Sequence, residues 1–194
     1  MESMTALFGI MTAFGLSASA GLNAYIPLLV VGVIAHYTDW IKLTSPYDLL
    51  ANPWVLIAVS VLLIIEMLAD KFPAVNHVND IIQTVIRPAA GAVVFAASAN
   101  VITDMSPVLA IILGLLVAGS VHTVKAMAVR PAVTATTGGT ANVPVSIIED
   151  VVATLVSILS IVLPILVTVF VILFVILIVW WLRRRAQRKR QALL

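Results

Sequence analysis

Residues 145–182 read VSIIEDVVATLVSILSIVLPILVTVFVILFVILIVWWL, and this stretch decides the class of the protein. After Glu149 and Asp150 near its start, it contains no further charge. About 20 such residues in a helix cross the hydrocarbon core of a membrane. The whole chain agrees, because 62% of its residues are hydrophobic, only 10% are charged and the mean hydropathy is +1.15. We therefore expect an integral membrane protein without a soluble catalytic domain.

A basic tail follows this run directly. Six positive and no negative side chains lie between Arg183 and Arg190, next to a Trp-Trp pair. Positive charge beside a membrane span predicts a cytoplasmic location, and tryptophan marks the membrane interface. We expect a single transmembrane domain over residues 1–182 and a basic cytoplasmic tail over residues 183–194. The tail suits contact with anionic lipid headgroups, whereas we expect no nucleic acid as its partner.

Four more apolar runs precede the last one. They cover residues 4–37, 53–69, 81–102 and 108–129, and they are joined by the polar loop 36–52, the short segments 70–80 and 103–107, and the Gly/Thr-rich loop 134–142. Membrane strands would alternate apolar and polar residues, which these runs do not. The sequence therefore predicts an all-α, polytopic transmembrane helical bundle of about five spans in the lipid bilayer.

The first and the last apolar runs are too long for one straight crossing. Each exceeds 30 residues, which is about 50 Å of helix against a hydrocarbon core of about 30 Å. The candidate break points are Gly15, Gly21, Asn23 and Pro27 in the first run and Pro164 in the last. In the first run, a broken or re-entrant helix and an unbroken one fit the pattern equally well. In the last run, a tilted or kinked helix is favoured.

Charged residues gather around two similar corners, Pro-Ala-Val at 73–75 and at 131–133. With one pass per run, the ends of runs two and four and the starts of runs three and five meet on one side of the membrane. If the tail is cytoplasmic, that side faces outward. The polar residues assigned to this layer are Glu66, Asp70, Lys71, Asp80, Arg87, His122, Lys125, Arg130, Asn142, Glu149 and Asp150. Charges near hydrocarbon are costly, so such a layer is predicted to be a functional site.

The two corners also suggest a weak internal repeat of a helical hairpin. ADKFPAV at 69–75 resembles AVRPAVT at 128–134, and the spans before both corners would run in the same direction. Since the shared tripeptide consists of common residues, chance similarity is the alternative.

Small residues recur on several helix faces, as at Ala13, Ser17 and Gly21. Such faces allow helices to approach closely, either within one bundle or between the subunits of a homo-oligomer. Gly91, which follows the Arg-Pro pair of RPAAG, is another small residue suited to close helix packing. Its alternative role is local unwinding of the third span, and Asn23 would form a similar polar site in the first span.

Several spaced motifs resemble those of a known family. They are GLNAYIP at 21–27, EMLADKFP at 66–73, RPAAG at 87–91, HTVK at 122–125 followed by Arg130, and NVPVSIIED at 142–150. This pattern is similar to that of the bacterial membrane family catalogued as domain of unknown function 4126. The resemblance implies a polytopic protein of the bacterial inner membrane in which these polar positions are the signature. It implies no established activity.

The residue types support three classes of function. Acids such as Glu66 and Asp70 can exchange protons or cations, while Arg87, Lys125 and Arg130 can hold an anionic group. Transport or binding of a small solute or ion through a charged vestibule is therefore the main hypothesis. A structural or accessory subunit of a membrane complex is the alternative, because the acids and bases of the layer can neutralise one another.

A membrane enzyme acting on lipid headgroups is the third class. The charged layer contains residue types used in acid/base catalysis and in metal sites. However, the chain has no HExxH, GxSxG or P-loop motif, and it has no cysteine. We therefore expect a non-enzymatic protein, and the pattern names no metal or cofactor.

Overall fold

The computed structural model describes residues 2–69, 73–100 and 105–191, which form helices joined by short turns. The helices are α1 (Glu2–Leu22), α2 (Tyr25–Tyr37), α3 (Pro53–Ala69), α4 (Pro73–Asn100), α5 (Pro107–Val124), α6 (Arg130–Thr137), α7 (Asn142–Val162) and α8 (Pro164–Gln191). A 3₁₀ turn (Tyr47–Ala51) precedes α3, and a π-helical segment (Lys125–Val129) joins α5 to α6. No strand occurs in these ranges, so the predicted all-α helical bundle is confirmed.

Three helical stretches in the described part are long and apolar enough to cross a membrane. They are Ile81–Ala99, Pro107–Thr137 and Asn142–Val162. Shorter apolar helices cover Ala6–Leu22, Tyr25–Tyr37 and Pro53–Ala69. The protein is therefore a membrane protein, as its composition predicts.

The first apolar run is broken, which resolves the two alternatives for it. α1 ends at Leu22 and α2 begins at Tyr25. Tyr47, in the turn that follows α2, packs against the core cluster that contains Ala13 of α1. Because this turn lies beside the middle of α1, α2 folds back along the bundle instead of continuing away from α1.

The last apolar run is interrupted at a single residue. Leu163, with φ −136° and ψ 64°, separates α7 from α8, and Pro164 opens α8. Proline has no N–H to donate to the preceding turn, and its fixed φ suits the first position of a helix. The last run is therefore interrupted at its candidate break point, whereas a tilted or kinked helix is the favoured prediction.

Two segments predicted as connections are helical in the structure. Segment 70–80 is helical from Pro73 onward, and residues 134–137 form the last turn of α6. In the second case, two threonine hydroxyls donate to backbone carbonyls of the preceding turn of the same helix. α6 ends at Thr137, and the next residue, Gly138, has a φ of 62°, which is left-handed and therefore favours glycine.

Small residues bring α1, α4 and α5 into close contact. A Cβ added to Gly91 of α4 would collide with the Ala118 side chain of α5. A Cβ added to Gly114 of α5 would lie 2.5 Å from the Gly91 carbonyl oxygen. Ser17 of α1 donates to the Gly114 carbonyl oxygen at 2.9 Å. α4 stays helical through Pro88, so these residues serve packing and the helix does not unwind there.

Hydrogen bonds show that α1 and α7 run antiparallel. Thr12 donates to the Ser160 carbonyl at 2.9 Å, and Ser19, further along α1, donates to the earlier Ala153 carbonyl at 2.8 Å. The end of α1 therefore lies beside the start of α7. Three exposed aromatic residues mark the opposite end of the bundle, around the turn between α2 and α3: Tyr37, Trp40 and Trp54.

Candidate functional site

Buried polar side chains collect where α1, α3 and α5 end and where α7 begins. They are Asn23, Glu66, Gln83, Arg87, His122, Lys125, Arg130 and Glu149, and each is at most 9% exposed. A buried charge that loses its partner costs about 3–5 kcal/mol, so the pairing decides what this region can do. The side chains form two neighbouring groups.

The first group, which we call the Arg87 group, comprises Glu66, Arg87, His122 and Thr84. Arg87 Nη2 donates to Glu66 Oε1 at 2.9 Å, and both side chains are 1% exposed. Arg87 Nη1 lies 3.3 Å from His122 Nδ1. Since a guanidinium can only donate, Nδ1 is the acceptor and the ring carries its proton on Nε2. Nε2 then donates to Thr84 Oγ1 at 3.2 Å, which leaves the imidazole neutral.

Tyr25 and Gln83 extend the Arg87 group toward α2. The Tyr25 phenol hydrogen-bonds to the Gln83 side chain and lies within electrostatic range of Glu66 and Arg87. Two buried atoms here, the donor Arg87 Nε and the acceptor Gln83 Oε1, make no hydrogen bond within the described part of the chain. Gln83 and Arg87 are four residues apart, so they share one face of α4. The group therefore offers both a donor and an acceptor to a further polar molecule.

The second group, which we call the Glu149 group, comprises Lys125, Arg130 and Glu149. Glu149 Oε2 accepts from Lys125 Nζ at 2.9 Å and from Arg130 Nη2 at 3.0 Å. Lys125 opens the π-helical segment and Arg130 follows its last residue. Such segments often occur at functional sites, and this one places both cations on the same carboxylate oxygen.

Asn23 fills the break between α1 and α2. Its Oδ1 accepts the backbone N–H groups of Tyr25 at 3.0 Å and Ile26 at 3.2 Å, which caps the start of α2. Its Nδ2 donates to Asp150 Oδ1 on α7 at 2.9 Å. Lys125 Nζ donates to the carbonyl of Leu22, the last residue of α1, at 3.0 Å. Lys125 of the π-helical segment and Asp150 of α7 therefore fix the geometry of the break.

The two groups are electrostatically connected, since Lys125 lies within range of Arg87 as well as Glu149 and Arg130. All three candidate spans contribute charges to them, namely Arg87 in the first, Lys125 and Arg130 in the second and Glu149 in the third. Charges at this depth are costly and typically functional.

The chain matches a family profile described as domain of unknown function (DUF4126) over residues 10–184. It belongs to the DUF4126 family. The family resemblance predicted from the spaced motifs is therefore confirmed. Both charged groups and the helix break lie inside the matched region, so they are part of the DUF4126 domain. No curated protein and no solved structure matches the chain.

The structure of this DUF4126 chain brings together most of the residues predicted for the charged layer. They are Glu66, Arg87, His122, Lys125, Arg130, Glu149 and Asp150. Asn23, predicted separately as a polar site in the first span, contacts Asp150 of this layer. Instead of lining an open vestibule, most of them are buried and paired. Asn142 lies apart from both groups, because its amide donates to Thr134 at 3.1 Å near the α6–α7 turn. Asp70, Lys71 and the side chain of Asp80 lie outside the described residues.

Sequence reasoning missed Tyr25, Gln83 and Thr84, which are uncharged. A signal was available for two of them, since Gln83 and Thr84 precede Arg87 by four and three residues on the same helix face. Within residues 2–69, 73–100 and 105–191, no three His, Asp or Glu side chains converge to hold a metal ion.

Proposed function

We propose that this protein is a membrane carrier for a small polar solute or ion and that the Arg87 group, with Gln83, is its binding site in a closed state. One observation carries the proposal: Arg87 Nε and Gln83 Oε1 are buried on one helix face, and neither atom has a hydrogen-bond partner among the residues that the structure describes. An unsatisfied buried polar atom costs about 1–3 kcal/mol. A solute or water that accepts from Arg87 and donates to Gln83 would remove that cost.

The interrupted helices support a carrier. The α1–α2 break and the π-helical segment both adjoin the charged groups. In secondary transporters, interrupted helices at membrane depth supply backbone groups to bound ions and allow parts of the bundle to move. The glutamates, which can exchange protons or cations, lie next to arginines that can hold an anion.

We also propose that the protein resides in a bacterial inner membrane with a cytoplasmic C-terminus that contacts anionic lipid. The support is the run of six basic residues after the last apolar segment. Arg184 lies over the Trp180 ring at 4.0 Å from its centroid, a cation–π contact suited to the membrane interface.

Cysteine labelling tests the carrier, because the chain has no cysteine of its own. A Gln83→Cys variant, treated in intact cells and in inside-out vesicles with a membrane-impermeant thiol reagent, should react from one side of the membrane. Combining it with Glu66→Gln should accelerate labelling several-fold, because the charge that holds Arg87 in place is lost.

The matched control is Ser98→Cys, also in α4. Ser98 is 5% exposed and is not part of either charged group. It should stay unlabelled in both backgrounds. If Gln83→Cys is as unreactive as Ser98→Cys from both sides, with and without Glu66→Gln, the site does not open and the carrier proposal fails.

A structural or accessory subunit is the second candidate. The observation in its favour is that Arg87, Lys125 and Arg130 each bind a glutamate. A network that serves only packing would leave Gln83→Cys unlabelled, whereas Glu66→Gln would still lower stability. The protein should then co-purify with a larger membrane complex.

A further inference from the structure

The geometry points to a monovalent-cation site at the α1–α2 break, made by the Leu22 carbonyl and the Glu149 carboxylate and filled by the ammonium group of Lys125. The coupling ion of the carrier is then a proton held on Lys125, and no metal cation is needed. The site follows from contacts in the structure. The identity of the coupling ion also rests on the proposed carrier function.

Lys125 occupies the position that a bound cation would take. Its Nζ lies 3.0 Å from the Leu22 carbonyl oxygen and 2.9 Å from Glu149 Oε2. The side chain is 4% exposed, so these groups replace water around the ammonium. Leu22 ends α1, and the last carbonyls of a helix carry partial negative charge. Broken membrane helices bind coupling cations at such ends.

Lys125 can lose a proton without leaving a buried carboxylate unpaired. Arg130 Nη2 also donates to Glu149 Oε2, at 3.0 Å. When Lys125–NH₃⁺ becomes Lys125–NH₂ and releases H⁺ to water, Glu149 keeps its negative charge and its pairing with Arg130. A buried carboxylate without a cation, the costly outcome, does not arise.

Several elements present groups to Lys125. They are the Leu22 carbonyl from α1, Arg87 from α4, His122 from α5, Arg130 from α6 and Glu149 from α7. Of these groups, Arg87 and Arg130 are positive, and His122 is neutral because it accepts from Arg87. Glu149 is therefore the acid that binds the Lys125 ammonium.

Loss of the proton bears directly on the helix break. A neutral amine keeps two N–H donors but loses its charge attraction to Glu149 and to the negative end of α1. The hydrogen bond to the Leu22 carbonyl then has a neutral donor in place of a charged one, and the cross-link between α1 and the π-helical segment weakens. Proton release on Lys125 therefore loosens the α1–α2 hairpin, the element that would have to move during transport.

A substitution at Lys125 tests the cation site by equilibrium binding. In Lys125→Ala, the Leu22 carbonyl and the Glu149 carboxylate face a space emptied of its ammonium. Replacing choline chloride by NaCl at equal ionic strength should raise the Tm of this variant saturably, by roughly 2–4 °C. The wild-type protein should show no such response, because its site is already filled.

Arg130→Ala is the matched control, since it removes the other cation from the same carboxylate oxygen but leaves Lys125 on Leu22. It should not gain a response to sodium. If Lys125→Ala responds to none of Li⁺, Na⁺ and K⁺, or if Arg130→Ala responds equally, the cation site is refuted. If Lys125→Ala does not fold, the wild-type protein still decides, because a sodium-dependent rise in its Tm refutes a site filled by lysine.

The sodium test of the cation site and the labelling test of the carrier can give different results. A sodium response in Lys125→Ala together with an unreactive Gln83→Cys supports the cation site and rejects the carrier. The reverse result rejects the site and leaves the carrier standing.

Discussion

The buried ion pair between Glu66 and Arg87 makes the sharpest stability prediction. Both side chains are 1% exposed and their atoms are 2.9 Å apart. In Glu66→Met, Arg87 keeps its bond to the neutral His122 but loses the carboxylate charge. Removing one partner of a buried pair costs about 3–5 kcal/mol, so we expect the free energy of unfolding to fall by about 4 kcal/mol.

The double variant Glu66→Met/Arg87→Met should recover at least half of that loss. Replacing both members of a buried pair by apolar side chains of similar size is often neutral. We expect the double variant to exceed Glu66→Met in stability by about 2 kcal/mol or more, a coupling typical of residues in direct contact.

Equilibrium unfolding in bicelles, for wild type, both single variants and the double variant, measures this coupling. Asp48→Asn is the control, since Asp48 is an exposed acid in the 3₁₀ turn and its loss should change stability by less than about 0.5 kcal/mol. If the effects of the two single variants simply add in the double variant, Glu66 and Arg87 do not stabilise each other and the network described above is wrong.

Three further predictions concern packing, the helix break and the tail. Gly91→Ala should lower the free energy of unfolding by about 1–3 kcal/mol because its Cβ would collide with α5, whereas Gly119→Ala, with its nearest neighbour at 3.8 Å, should be nearly neutral; thermal unfolding distinguishes them. Asn23→Ala should cost about 1–2 kcal/mol through loss of the α2 cap. Asn23→Asp should be less stable at pH 8 than at pH 5, since it places a second carboxylate against Asp150, and a Tm measured across pH with wild type as reference checks this. Changing the six basic residues of 183–190 to glutamine should weaken binding to liposomes that contain anionic lipid more than to neutral ones, as co-flotation would show.

Much of the helical layout follows from local chemistry. Pro164 is the candidate break point of the last apolar run, and the run is interrupted there because proline cannot make the hydrogen bond of a helix interior. Residues 134–137 are predicted as part of a loop because they are polar, but they form the last turn of α6. Their threonines satisfy their hydroxyl groups within the helix itself, which composition does not reveal.

The pairing of charges in the candidate site could not be predicted from the sequence. The positions of the charges in the sequence predict that polar residues meet in one layer, but they do not indicate which acid pairs with which base. The structure pairs Glu66 with Arg87, whereas Glu149 takes both Lys125 and Arg130. This pairing depends on distances of a few ångströms between helices far apart in the chain.

The sequence by itself determined that this is an all-α membrane protein, because transfer of apolar residues into hydrocarbon depends on composition and run length alone. Its spaced motifs determined that it belongs to the DUF4126 family. Tertiary structure alone decided that α2 folds back beside α1 and that Lys125 meets the end of α1. The reason is physical. A chain that can break at Asn23 can continue in either direction, and only the packing of its neighbours selects one.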